Sequence, residues 1–250
     1  MTIAGKEWAY LPAAPEVAAS SSLRAAAAAH WARVGLSKHA SIASYARFTL
    51  HLLALGAPPE LVRGAQQALG DVAEHARLAF GLATAFAGEA IGPGPLALDR
   101  GVDGLDLHAL VATLIREGCF GETVAATEAR DALEHVTDPA VRAVLEIVAR
   151  DKLCHAALAW QALGWVVSSE RADREVVRGE ILTALREVRP RARPDEDDDE
   201  HLRSFGIVSE ARREELRLMA IPSVIGHCAT ATFRAPRTPT GRCPPVRVGT

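Results

Sequence analysis

The chain has 250 residues, with 28 Lys+Arg against 31 Asp+Glu, a formal net charge of −3, 49% apolar residues and only 5% aromatic ones. That length allows one to two domains with a sizeable core, and apolar content dominated by Ala, Leu and Val suits close-packed helices. The near balance of charge excludes the strong basic field of non-specific nucleic-acid binding, and no apolar run of about 20 residues is present to span a membrane.

Residues 1–15 lack a charged leader followed by an apolar stretch, so no signal peptide is expected. Residues 1–22 read as an N-terminal extension with no requirement to pack, in which Ser20–Ser22 could cap a helix. From 23 to 55 there is no proline, and Trp31, Val34, Ile42, Tyr45, Phe48 and Leu52 recur at helical spacing. Gly56-Ala57-Pro58-Pro59 ends that helix, and the next is predicted to run to about Ala87. A long connection rich in Gly and Pro spans 91–106. A third helix follows over about 107–135, and Asp138-Pro139 opens a fourth that reaches about Val167.

Four long helices with two short turns and one long middle crossover predict an all-α, antiparallel four-helix bundle of ferritin-like connectivity over 23–168. Additional C-terminal helices are expected over 169–188 and 209–229, within a segment 169–231 that carries an acidic loop near 190–200. The tail 232–250, rich in Pro, Arg, Gly and Thr, reads as flexible. Cys119, Cys154, Cys228 and Cys243 show no CxxC spacing, so neither a zinc knuckle nor a disulfide framework is expected. The chain reads as reduced and cytoplasmic.

The two halves echo each other. The second helix carries Asp71-Val72-Ala73-Glu74-His75-Ala76 and the fourth Asp151-Lys152-Leu153-Cys154-His155-Ala156. Each Asp-x-x-x-His-Ala stands about thirty residues after a polar residue of the preceding helix, Lys38 and Glu122 respectively. Positions three apart share a helix face, so Val72 with His75 and Lys152 with His155 should point the same way, towards the interior.

The stretches Lys38–Phe48, Leu53–Leu61, His75–Leu78, Gly118–Ala126 and 137–160 resemble the bacterial ferritin-like proteins of the rubrerythrin/ferritin superfamily, over roughly Trp31 to Val167. The resemblance implies helix pairs around a buried two-metal oxidase or oxygenase site, and it suggests a homodimer. Each pair would supply one Glu and then a Glu-x-x-His. Carried over residue by residue, Glu122, His75 and His155 match, whereas Lys38, Val72 and Lys152 stand where the family has Glu. Asp71 and Asp151 match the carboxylates that would each hold an imidazole in one tautomer.

Two ammonium groups beside one carboxylate oppose a metal pair by several kcal/mol even at an effective dielectric of about 20. No cofactor is therefore expected, and Glu122 should be ionised and bonded to at least one lysine. Three readings remain open for these residues. One is a degenerate site whose Lys38–Glu122–Lys152 network replaces the metals. A second is a metal-independent enzyme acting on a small organic ligand in the bundle core through Lys38, Glu122, Lys152, His75, His155 and Tyr45. The third is a mononuclear non-haem Fe(II) site made of His75, Glu122 and His155. His30, His39, His51, His108, His135 and His201 read as surface or capping residues, Cys119 and Cys154 as small core residues, and Glu117, Glu128 and Glu134 as a solvated face.

Overall fold

The structure, a computed structural model, describes residues 5–15, 20–97, 106–187 and 200–233. The predicted acidic run over 195–199, the middle of the crossover (98–105) and the tail from 234 onward lie outside the described residues. Among the described residues all regular structure is helical, and none of those helices is long and apolar enough to cross a membrane.

Helix α1 (Ser21–Ala54) starts where the Ser20 hydroxyl accepts from Leu23 N at 3.3 Å. Helix α2 (Pro59–Ala87) has proline in its first turn, where no N–H partner is needed, and ends at Gly88 in the left-handed region (φ 75°). Asp106 caps α3 (Leu107–Thr113) by accepting from His108 N and Ala109 N. The chain then winds through a π-helical stretch, Leu114–Gly121, into α4 (Glu122–His135). Asp138 caps α5 (Pro139–Ser168) by accepting from Ala140 N and Val141 N at 2.9 and 3.0 Å.

The predicted third helix is thus one continuous rod with a wide turn in it. Gly118 lies so close to α5 that a Cβ there would stand 3.0 Å from the Ala159 methyl. Beyond α5 come α6 (Arg174–Glu187), α7 (Glu200–Ser204), α8 (Glu210–Ala220), a second π-helical turn (Ile221–Ile225) and α9 (Gly226–Thr232). The helix expected from 169 starts at Arg174 because residues 169–173 turn the chain after α5 and Asp173 then caps Glu175 N at 2.8 Å.

Helix α1 packs along α2, α4 along α5, and α2 along α5. Each contact is antiparallel. Arg24 reaches Phe86 O while Gly35 lies against Phe80, Arg142 reaches Leu133 O while Lys152 meets Glu122, and Asp71 faces His155 while His75 faces Asp151. Helices α2 and α4 therefore run in the same direction, so the connection between them has to travel the length of the molecule.

The apolar core is in two pieces. One gathers Trp31, Phe80, Phe86, Val141 and Leu145, and the other Leu52, Leu61, Ile115, Cys119 and Leu163. The polar residues predicted as site candidates occupy the layer between these pieces on all four long rods. Residues 5–15, expected to have no need to pack, do pack. Tyr10 N donates to Arg77 O at 3.2 Å, and the Trp8 ring meets His39 edge-on at 4.8 Å, because these apolar rings cover the outer faces of α1 and α2.

Candidate functional site

The α4 and α5 contact brings Lys152, only 3% exposed, against Glu122. The Lys152 ammonium donates to both carboxylate oxygens, at 2.8 Å to Oε1 and 2.6 Å to Oε2. An ammonium this deeply buried costs several kcal/mol unless paired, and the bidentate contact meets that requirement.

The two imidazoles are cross-paired between helices. His75 Nε2 lies 3.0 Å from Asp151 Oδ2, and His155 Nε2 lies 3.0 Å from Asp71 Oδ2. Each Asp-x-x-x-His motif therefore holds the histidine of the opposite helix, not its own. The rings stand 6.0 Å apart. Both Nδ1 atoms are buried without a hydrogen-bond partner, although His155 Nδ1 approaches Glu122 Oε2 at 3.7 Å. Val72, three residues before His75 on α2, is fully buried.

These contacts set the charge states. Burial pushes the Glu122 carboxyl up, but His155 and Lys152 together outweigh it and bring the pKa down to about 2. Burial, with the charges of Lys152 and His155, lowers His75 despite its bond to Asp151. Burial opposes the charge of Asp151, yet His75 and Arg150 hold that carboxyl below its ordinary range. His75 is thus neutral at pH 7 with its proton on Nε2, which leaves Nδ1 as a bare lone pair. His155 behaves in the opposite way: burial pulls its pKa down, but Asp71 and Glu122 raise it overall. Tyr45, its ring 5.3 Å from His155, keeps its phenol proton because burial and the facing Glu122 carboxylate raise its pKa far above the usual range.

Lys38 is half-buried on α1 beside Lys152. Burial comes first and the Lys152 charge second in lowering its pKa to about 8, with Glu122 and Glu128 pulling weakly the other way. Lys38, Lys152 and His75 line a cavity of about 570 Å³, while Glu122, His155, Tyr45 and Asp71 lie away from it. Its apolar walls include Trp31, Val34, Ala79, Val144 and Leu145, and the backbone after α7 closes one side through Gly206–Ser209.

Several sequence expectations need correction here. His30 and Glu128 were expected on the surface, but both line this cavity because the segment leading into α8 folds over them. The docking is fixed by Arg212, which donates to Asp131 Oδ1 at 2.6 and 3.0 Å. Burial, followed by the charges of Arg213 and Arg33, lowers the His30 pKa to about 4, while burial raises that of Glu128. Cys119 is a buried free thiol, as expected of a small core residue, and Cys228 is also free. Cys154 is half-buried and disulfide-bonded, which overturns the reading of it as a reduced core cysteine. Cys243 lies outside the described residues.

One available sequence signal was missed. Of the 28 basic residues only Lys6, Lys38 and Lys152 are lysines, and two of these three meet in the core.

A metal pair does not fit this donor set. Lys152 occupies both oxygens of Glu122, and the two aspartates are turned to the outer nitrogens of the imidazoles. Among the described residues no group of three His, Cys, Asp or Glu is arranged to hold a metal ion. Comparison with protein-family models, with curated proteins and with solved structures gives no match for the chain.

Proposed function

We propose that this chain is a ferritin-like four-helix bundle whose two-metal centre has become a metal-free polar site, served by a cavity that receives a small organic ligand. The observation that carries this reading is the Lys152 ammonium bonded to both oxygens of Glu122, where the resemblance would place a metal. The helix directions support it as well: two antiparallel pairs joined by a long connection between parallel helices match ferritin-like connectivity. The fixed ammonium supplies the positive charge that a bundle of carboxylates would otherwise take from cations.

Anaerobic Fe(II) titration tests the proposal on the parent and on the variant Lys38→Glu, Val72→Glu, Lys152→Glu. The parent should take up no iron pair, whereas the variant should bind about two Fe(II) per chain, since its four carboxylates repel one another until cations arrive. Saturable uptake of two irons by the parent would overturn the metal-free reading. A folded variant that binds nothing would overturn the assignment of the three positions.

A second reading, a mononuclear Fe(II) site of His75, Glu122 and His155, has one observation in its favour. Both imidazoles present an unpartnered Nδ1, and that of His155 faces Glu122. It requires Lys152 to leave the carboxylate, and uptake of one iron per chain by the parent would establish it.

A further inference from the structure

We propose that Lys38 is a nucleophilic amine which condenses with a small carbonyl compound carrying a carboxylate, an oxo acid, to form an imine in the cavity it lines with Lys152 and His75. This rests on the metal-free reading of the site and names its ligand class. Three independent observations converge on it.

The first is the choice of side chain. Every basic residue of the chain other than Lys6, Lys38 and Lys152 is arginine. An arginine at either core position would be charged under all conditions and could never offer a lone pair, so a site that needs a titratable amine has to depart from the prevailing usage. Lys152 is committed to Glu122, whereas Lys38 has no carboxylate of its own in the layer and opens onto the cavity.

The second is the charge around it. Lys38 is faced by Lys152, Glu122 and Glu128, and the same cavity is lined by His75, His30, Arg33, Arg213 and Glu210. A cation beside an amine favours its neutral, nucleophilic form. At a pKa of about 8, roughly a tenth of the side chain is unprotonated at pH 7, about two orders of magnitude more than for an ordinary lysine.

The third is a pair of polar atoms left without partners. His75 is 2% exposed, lines the cavity and has a bare Nδ1. The Arg213 Nε is also buried and unpartnered on the cavity wall. Together they suit the condensation: the bare Nδ1 can take up the proton that the amine sheds, and the guanidinium asks for a carboxylate on the ligand.

The chemistry balances without an oxidant or reductant. The Lys38 Nζ lone pair adds to the carbonyl carbon, and the C=O π pair moves to oxygen. An Nζ proton passes by way of His75 Nδ1 to that oxygen and gives the carbinolamine. The second Nζ proton, carried by the same route to the hydroxyl, lets it leave as water while the nitrogen lone pair forms the C=N bond. Amine and carbonyl become imine and water.

The test is reductive trapping. The full chain, pretreated with chelator, is incubated with glyoxylate and cyanoborohydride between pH 6 and 10 and then mapped by peptide mass spectrometry, with Lys6 and Lys152 read in the same digest. One carboxymethyl group on Lys38 is expected, with its rate half-maximal near pH 8. Lys38→Arg should remain folded and lose the adduct. His75→Gln should slow the adduct at least tenfold without moving its pH midpoint. Arg213→Gln should weaken saturation by glyoxylate but not by uncharged acetaldehyde. Equal labelling of the three lysines, or a Lys38 midpoint at the ordinary lysine value, would overturn the proposal. Iron uptake by the same preparation is read separately: it bears on the metal-free reading and leaves the reactivity of Lys38 to be decided by the trapping.

Discussion

Replacing Glu122 with glutamine keeps the shape of the side chain and removes its charge, so that the Lys152 ammonium is left buried with only a neutral amide opposite it. Two routes give the cost. A folded-state pKa of about 2 against an ordinary 4.5 corresponds to about 3 kcal/mol of stability at neutral pH, an order-of-magnitude figure for a side chain 15% exposed. Breaking one partner out of a buried ion pair typically costs about 3–5 kcal/mol. The routes agree, and for a chain of this size they translate into a fall of about 10 °C in melting temperature. Removing Lys152 as well, in Glu122→Gln with Lys152→Met, should recover most of the loss, because an apolar side chain of similar length then fills the space without an orphan charge. Calorimetric melting of parent, single and double variants at pH 7 makes the comparison. A single variant that melts within about 2 °C of the parent, or a double variant no better than the single, would refute the reasoning.

Stability should respond to pH in three separable ways, measured by denaturant unfolding from pH 8 down to pH 3. His75 has a lowered folded-state pKa, so the unfolded chain takes up its proton first and the contribution present above pH 6.5 is lost on acidification; His75→Gln should flatten that segment. His155 is raised, so its contribution is complete below pH 6.5 and is lost as pH rises through the folded-state value. Glu122 contributes fully above about pH 4.5 and loses that contribution as pH falls towards 2, a segment that Glu122→Gln should remove. Away from the site, Gly35→Ala should destabilise by about 1–3 kcal/mol in the same assay, since its methyl would stand 2.8 Å from the Phe80 ring where α1 packs against α2.

The helices were readable because their ends are written locally: Ser20, Asp106 and Asp138 cap, Pro59 and Pro139 open, and Gly88 closes. The wide turn before Glu122 was not, since the crowding of Gly118 against Ala159 is a tertiary fact. The polar layer was visible in the repeated Asp-x-x-x-His-Ala and the three-residue spacing of Lys152 and His155. Which aspartate holds which histidine depends on the register between α2 and α5, which no single helix encodes. The cavity was hidden for a similar reason. Its wall at Gly206–Ser209 arrives from far along the chain, and that arrival is what turns His30 and Glu128 from surface residues into lining. Arg212 and Asp131, the pair that docks the segment, are ordinary surface types until they meet.

The cross-paired histidines and aspartates relate the two helix pairs by an approximate two-fold axis through the layer, exchanging Asp71 with Asp151 and His75 with His155. The same operation exchanges Lys38 with Glu122 and Val72 with Lys152, and there the symmetry fails. Had each half carried one acid and one base, every charge would have found its mate. Instead the second half holds both members of the Lys152–Glu122 ion pair and the first half holds a valine and an amine, so of the three ionisable groups at these four positions one amine has no carboxylate across the axis. The amine without a counterpart is that of Lys38 on α1, which lines the cavity. The unmatched base is therefore a consequence of parity between the halves, and a single carboxylate at position 72 would cancel it.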